Sequence, residues 1–150
     1  RAHAEKLFSY LVRLTGDYHL SSDIMQETFA RHFARYRREH SIPLLYRIAK
    51  NAFLDCTRRG KREVPLEDEH PDRSIDQEQT VMIREEYRRV IEAMGRLRED
   101  EREVLALVLS GDLSYREIAE ITGTSETNIK VKVHRARVTL KHILGEKNNE

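Results

Sequence analysis

Three features of the sequence predict an all-α protein made of two small helical domains joined by a flexible acidic linker. Apolar residues recur at helical spacing along most of the chain. Helix caps and breakers punctuate that pattern at short intervals. Between Gly60 and Thr80 the periodicity stops, and Pro65, Pro71 and a run of acids replace it. The expected boundaries are 1–62 for the first domain, 63–80 for the linker and 81–150 for the second domain. That second domain reads as a four-helix unit containing a helix-turn-helix.

The first helix covers residues 2–15, with Leu7, Leu11, Val12 and Leu14 inward, and Thr15-Gly16-Asp17 ends it. Its start is abrupt: Arg1 reads as a mid-helix residue, so a clipped start is expected. Ser21 or Ser22 is expected to open a second helix running to about Arg38. Along it Met25, Phe29, His32, Phe33 and Tyr36 share one face, and Asp23, Gln26, Glu27, Ala30 and Arg31 the other. Pro43, after the loop Glu39-His40-Ser41-Ile42, suits the first turn of a third helix to about Arg59. This helix turns Leu45, Ile48, Ala49, Ala52, Phe53 and Cys56 inward and Arg47, Lys50, Asn51 and Arg58 outward.

The helical pattern resumes from about Val81 to Arg96, through Tyr87, Val90, Ile91 and Met94. Asp100 and Glu103 have capping-box spacing at the start of a helix that carries Val104, Leu105, Leu107, Val108 and Leu109 to Gly111. Ser114 and Glu117 repeat the spacing and open a short helix with Ile118, Ala119 and Ile121 on its apolar side. Thr122-Gly123-Thr124 breaks it, because Gly123 is free to turn left-handed. Ser125 then caps a longer, basic helix whose Ile129, Val133, Ala136, Leu140 and Ile143 share one face. Two helices about a short glycine turn, the second of them basic, form the pattern of a DNA-binding helix-turn-helix. The alternative is an ordinary helical hairpin in an all-α core. Both units have little contact surface of their own, so their relative placement is expected to depend on a partner.

A net charge of +1 does not by itself point to nucleic acid, but its distribution does. Arg31 to Arg62 carries ten Lys and Arg against Glu39 and Asp55, and Glu63 to Gln79 carries seven acids against Arg73. A basic block followed by an acidic one reads as a binding surface and then a spacer. The single cysteine, Cys56, excludes an internal disulfide, and no apolar run approaches a membrane span. No signal peptide opens the chain, and a cytoplasmic location is expected. The seven histidines lack ligand spacing, and no phosphate loop, nucleophile elbow or converging carboxylate pair is present. No catalytic residue, metal, cofactor or small-molecule substrate is therefore expected.

Four motifs occur in order: Asp23-x-x-Gln26-Glu27-Thr28-Phe29; Tyr46-Arg47-Ile48-Ala49-Lys50-Asn51-Ala52-Phe53-Leu54-Asp55; Ser114-Tyr115-Arg116-Glu117-Ile118-Ala119; and His134-Arg135-Ala136-Arg137. Together they resemble the extracytoplasmic-function sigma factors, the promoter-specificity subunits of bacterial RNA polymerase. The resemblance runs from about Leu7 to Leu144, apart from the linker. It implies a protein that is not an enzyme: the first domain reads and opens the minus-10 element, the second reads the minus-35 element, and both dock on core RNA polymerase. Sigma factors of this group are commonly held inactive by an anti-sigma factor, often membrane-bound, so such a partner is expected too.

The family's polymerase-docking helix corresponds to Asp23, Gln26 and Glu27. An acid–amide cluster away from the core can pair with a basic partner surface; the alternative is a solvated helix face. The minus-10 stripe would comprise Arg47, Lys50, Asn51 and Arg58, extended by Arg59, Lys61 and Arg62. The cations would neutralise phosphates, and Asn51 would bond a base edge or a phosphate. In the family the loop before this helix receives a flipped base, which makes His40 and Ser41 candidates. For the minus-35 element the reading face is Thr127, Val131 and His134, flanked by Asn128, Lys130 and Arg135. Asn128 suits adenine, Lys130 or Arg135 guanine, and Val131 a thymine methyl. Lys132 and Arg137 lie toward the flanks, and Arg116 precedes the turn; all three suit phosphates. The chain departs from the family where Leu44 replaces the usual Trp. It departs again where Asn128, Val131 and Lys132 replace the usual Thr, Ser and Arg.

The runner-up is a stand-alone helix-turn-helix repressor or activator whose first domain dimerises or senses a signal. A more distant alternative is a protein that binds structured RNA or processes nucleic acid. A repressor has no need of the Asp23-Gln26-Glu27 cluster or of a second basic helix.

Overall fold

The computed structural model describes residues 2–36, 41–60 and 77–148, with side chains for 3–36, 41–58 and 85–145. Among the described residues the chain forms seven helices and no strand: α1 (Ala2–Thr15), α2 (Tyr18–Tyr36), α3 (Ile42–Gly60), α4 (Gln77–Met94), α5 (Glu99–Ser110), α6 (Tyr115–Thr122) and α7 (Glu126–Asn148). Of the expected linker, residues 63–76 lie outside the described residues, and α4 begins at Gln77, about one turn before Val81. No helix among the described residues is long and apolar enough to cross a membrane.

Two helix starts differ from the sequence reading. The second helix opens at Tyr18 because Asp17 is its cap: the Asp17 carboxylate accepts from the Leu20 N–H at 3.0 Å. At α5 the box expected from Asp100 and Glu103 does not form, and the N-cap is Arg98 with no side-chain cap bond. Both acids are engaged elsewhere, Asp100 with Arg98 and Lys132 and Glu103 with Lys50. The third start agrees: Pro43 stands in the first turn of α3, and the Ser41 hydroxyl accepts from the Leu44 N–H at 3.2 Å.

The main correction concerns α2. Its buried residues are Ser21, Ile24 and Thr28, while Phe29 is 39% and Phe33 67% exposed. The inward stripe of α2 is small and hydroxylated, and its polar atoms are satisfied locally. Thr28 donates to the Ile24 carbonyl at 2.7 Å, and Ser21 pairs with the Thr15 hydroxyl at 2.9 Å. Small side chains let α2 lie close against α1 and α3. Phe33 then falls on the side opposite that stripe, as the turn of 100° per residue requires.

The centre of the molecule is α5, which packs against α1, α6 and α7. Val104, Leu105, Ala106 and Leu107 are all buried in succession, the mark of a helix covered on most sides. Leu7, Tyr10, Leu11 and Leu14 of α1 join the same continuous core as Ile118, Ile129, Val133 and Ala136. Each large aliphatic side chain there contributes roughly 1.5–3 kcal/mol by leaving water. The two halves of the chain thus share one interior.

Candidate nucleic-acid interface

Local chemistry builds the helix-turn-helix as the sequence predicts. The Ser114 hydroxyl accepts from the Glu117 N–H at 3.1 Å, and the Glu117 carboxylate accepts from the Ser114 N–H at 2.9 Å. Gly123 adopts φ 74°, left-handed, and ends α6. Two residues later the Ser125 hydroxyl accepts from the Asn128 N–H at 3.1 Å and starts α7. Ile129, Val133 and Ala136 are buried, so α7 must present its other side to solvent.

That outer side holds Thr127, Asn128, Lys130, Val131, His134, Arg135 and Arg137, all exposed. Val131 is 40% exposed, an apolar side chain in the middle of a polar face. The Asn128 amide donates to the Thr124 hydroxyl at 2.9 Å, which orients it and leaves its carbonyl free for a partner. Lys132 is more covered and lies 3.7 Å from Asp100. Arg116 stands exposed on α6. A groove of about 440 Å³ runs beside this face, lined in part by Arg96, Arg98, His134 and Arg135. Arg96 and Arg98 were not singled out in the sequence. They precede α5, and only the fold brings them to α7.

On α3, Arg47, Asn51, Leu54 and Arg58 are exposed at spacings of four, three and four, a single stripe along the helix. Lys50 leaves this stripe: its ammonium pairs with Glu103 at 3.2 Å, and each side chain is 21% exposed. Ser41 is exposed but its hydroxyl already caps α3. His40 and Arg62 lie outside the described residues, and the Arg59 side chain is likewise not described.

On α2, Asp23, Gln26 and Glu27 are exposed, and Phe29 and Phe33 border Gln26 on the same outer side. Glu27 accepts from Arg31 at 2.9 Å, Arg31 reaches Asp55 at 3.0 Å, and Arg58 lies 3.5 Å from Asp55. Hydrogen bonds to Glu27 and Asp55 raise the Arg31 pKa, so the guanidinium stays charged and ties α2 to α3. An acid–amide face bordered by exposed aromatics has the composition of a protein-docking surface. Sequence patterning grouped Phe29 and Phe33 on one face of α2 but did not show that this face is exposed.

Comparison with known proteins places the chain by sequence and by fold. Residues 1–63 match the model of sigma-70 region 2, and residues 87–140 match that of sigma-70 region 4. The chain is 32% identical over 149 residues to the ECF RNA polymerase sigma factor SigM of Bacillus subtilis (strain 168), covering 96% of this chain and 91% of that protein. It is 29% identical to the ECF RNA polymerase sigma factor EcfG of Rhodopseudomonas palustris (strain TIE-1), over 95% of this chain and 81% of that protein. Two solved structures share the fold. Sigma factor RpoE, in complex with the anti-sigma factor NepR from Bartonella quintana, superposes with a TM-score of 0.73 at 23% identity, over 95% of this chain and 92% of that one. CnrH, in complex with the cytosolic domain of CnrY, gives 0.70 at 22% identity, over 96% and 83%. The chain belongs to the ECF sigma factors of bacterial RNA polymerase.

Proposed function

We infer that the chain is an alternative sigma factor that binds core RNA polymerase and directs transcription to particular promoters. It performs no chemistry itself; the polymerase does, and the protein works in the cytoplasm where the polymerase is. Residues 1–62 act as the docking and minus-10 domain and residues 81–150 as the minus-35 domain, with 63–80 between them.

The observation that carries this reading is the presence of two separate exposed faces of basic and amide side chains on one chain. A helix-turn-helix regulator needs only the face on α7. Here α3 carries a second stripe, Arg47, Asn51 and Arg58, and α2 carries the acid–amide–aromatic face. Arg47 and Arg58 contact phosphates of the minus-10 region, with Arg59 and Arg62 continuing the charge, and Asn51 bonds an exposed base edge. His40 and Ser41 flank the entry for an unstacked base. On α7, Asn128, Lys130, Val131 and Arg135 face base edges in the major groove, with Thr127 and His134 beside them. Arg116, Lys132 and Arg137 hold phosphates. Asp23, Gln26 and Glu27 dock on the polymerase. An anti-sigma partner, of the kind seen with RpoE, covers these faces when the factor is off.

Run-off transcription with purified core RNA polymerase on a genomic promoter library tests this. The chain should yield promoter-specific transcripts, and Arg135→Ala should lower initiation about tenfold, the effect of one lost base or phosphate contact. Duplex binding without any transcripts would overturn the reading in favour of a repressor.

A further inference from the structure

The groove of about 440 Å³ between the start of α5 and the middle of α7 holds a carboxylate that the promoter contacts leave unused. Glu101 lines this groove and is only 7% exposed. Among the described residues no hydrogen bond or ion pair reaches its carboxylate. Its oxygens are not sealed in the interior, so the exposure that remains to them is at the groove. A largely covered acid without a partner is costly, and a ligand that donates to it relieves that cost.

Cations surround this acid without pairing to it. Arg96, Arg98 and Arg135 line the same groove, and each is exposed. Arg98 approaches Asp100 only to 3.5 Å, with its side chain 72% exposed, so its guanidinium is available to a stronger partner. Apolar surface comes from Leu97, between two of these arginines in sequence, and from Val138, 55% exposed on α7. A volume within the usual range of about 300–1,000 Å³, apolar walls and a few converging polar groups are the makings of a small-molecule site.

The two kinds of charge select the ligand. An ionised carboxylate only accepts, through two oxygens side by side. Guanine offers two parallel donors on one edge, N1–H and N2–H, and satisfies both oxygens. Adenine and cytosine set an acceptor beside their amino donor, and that acceptor is repelled by the second oxygen. A guanidinium would also suit the acid, but the three arginines around it repel a cation. They suit phosphate oxygens instead, which a guanidinium takes two bonds at a time.

We propose that this groove binds a guanine nucleotide carrying two or more phosphates, with Glu101 on the base edge and Arg96, Arg98 and Arg135 on the phosphates. Arg135 is then shared between two ligands. A bound nucleotide withholds it from the minus-35 element and so couples initiation to the nucleotide's concentration. That consequence, unlike the site itself, rests on the sigma-factor reading.

Calorimetry of the full chain with GTP, ATP and inorganic tripolyphosphate tests the site without polymerase. GTP should bind about tenfold more tightly than either of the others, the discrimination expected of one bidentate pair. Glu101→Gln should bring GTP to within about twofold of ATP and leave tripolyphosphate binding unchanged, because an amide cannot accept from both donors through two oxygens. Arg96→Ala, at an exposed side chain, should weaken GTP and tripolyphosphate alike. Absence of GTP binding, equal binding of all three ligands, or a GTP preference that survives Glu101→Gln would overturn the proposal. If Glu101→Gln loses helicity by circular dichroism, the ligand preference of the unmodified chain and the Arg96→Ala result decide. GTP at roughly ten times its dissociation constant should then lower affinity for a promoter duplex about tenfold, and ATP at the same concentration should not. Tight GTP binding with duplex affinity unchanged would overturn the sharing of Arg135. Silence of the chain with core polymerase would leave these results standing and overturn only the sigma-factor reading.

Discussion

Ser114 fixes where the reading unit begins. Its reciprocal bonds with Glu117 satisfy two backbone groups that an eight-residue helix cannot satisfy internally. So short a helix has little propensity to spare, and its position sets the angle at which α7 leaves the turn. Ser114→Ala should therefore cost about 1 kcal/mol, within the usual 0.5–2 kcal/mol for a lost cap, measured by urea denaturation. Caps at Ser114, Ser125 and Gly123 were legible in the sequence because both partners of each bond lie within five residues. Asp100 was misread for the opposite reason. Its spacing to Glu103 is that of a capping box, but the two carboxylates instead face Lys132 and Lys50, which are distant in sequence. With Arg98 at the N-cap, Asp100 already stands inside the first turn of α5, where its side chain cannot act as the cap.

At the scale of the helix, periodicity located the seven helices of the described residues, since each spans two turns or more and needs an apolar side. What it could not settle was which side of α2 faces in. Ser21 and Thr28 bury as well as apolar residues once their hydroxyls bond within the first half, so Ile24 is the one apolar residue among the fully buried positions of α2 and the stripe's apolar signature is weak. The larger side chains were thereby released to the surface beside Gln26. This gives Phe33 a separable role. Phe33→Ser removes an exposed ring and should leave thermal stability within about 0.5 kcal/mol of the parent. The same change should weaken binding to core polymerase by about 2 kcal/mol, or some thirtyfold, if the ring is an anchor of that interface. Fluorescence anisotropy with labelled core enzyme reads the second number. Unchanged affinity would confine docking to Asp23, Gln26 and Glu27.

For the molecule as a whole, the sequence reading of two units left their placement to a partner, whereas the structure joins them through α1 and α5. The signal was absent because a joint between halves is made of residues far apart in sequence, as Lys6 and Asp112 are. Tyr10 and Tyr46 report on that joint. Burial foremost, then the charge of Glu103, raises the Tyr10 pKa well above the ordinary value of 10.0; burial foremost also raises that of Tyr46. A phenol that holds its proton more tightly in the folded state stabilises that state only while neutral. Its contribution is complete below about pH 10 and declines as pH rises from there toward the folded value. Alkaline titration followed by tyrosinate absorbance should thus show two of the six tyrosines lagging behind. Scattering should show the chain expanding over the interval in which those two ionise. If both rings titrate normally in the parent chain, the halves are already apart in solution, and the closed arrangement is not the resting one.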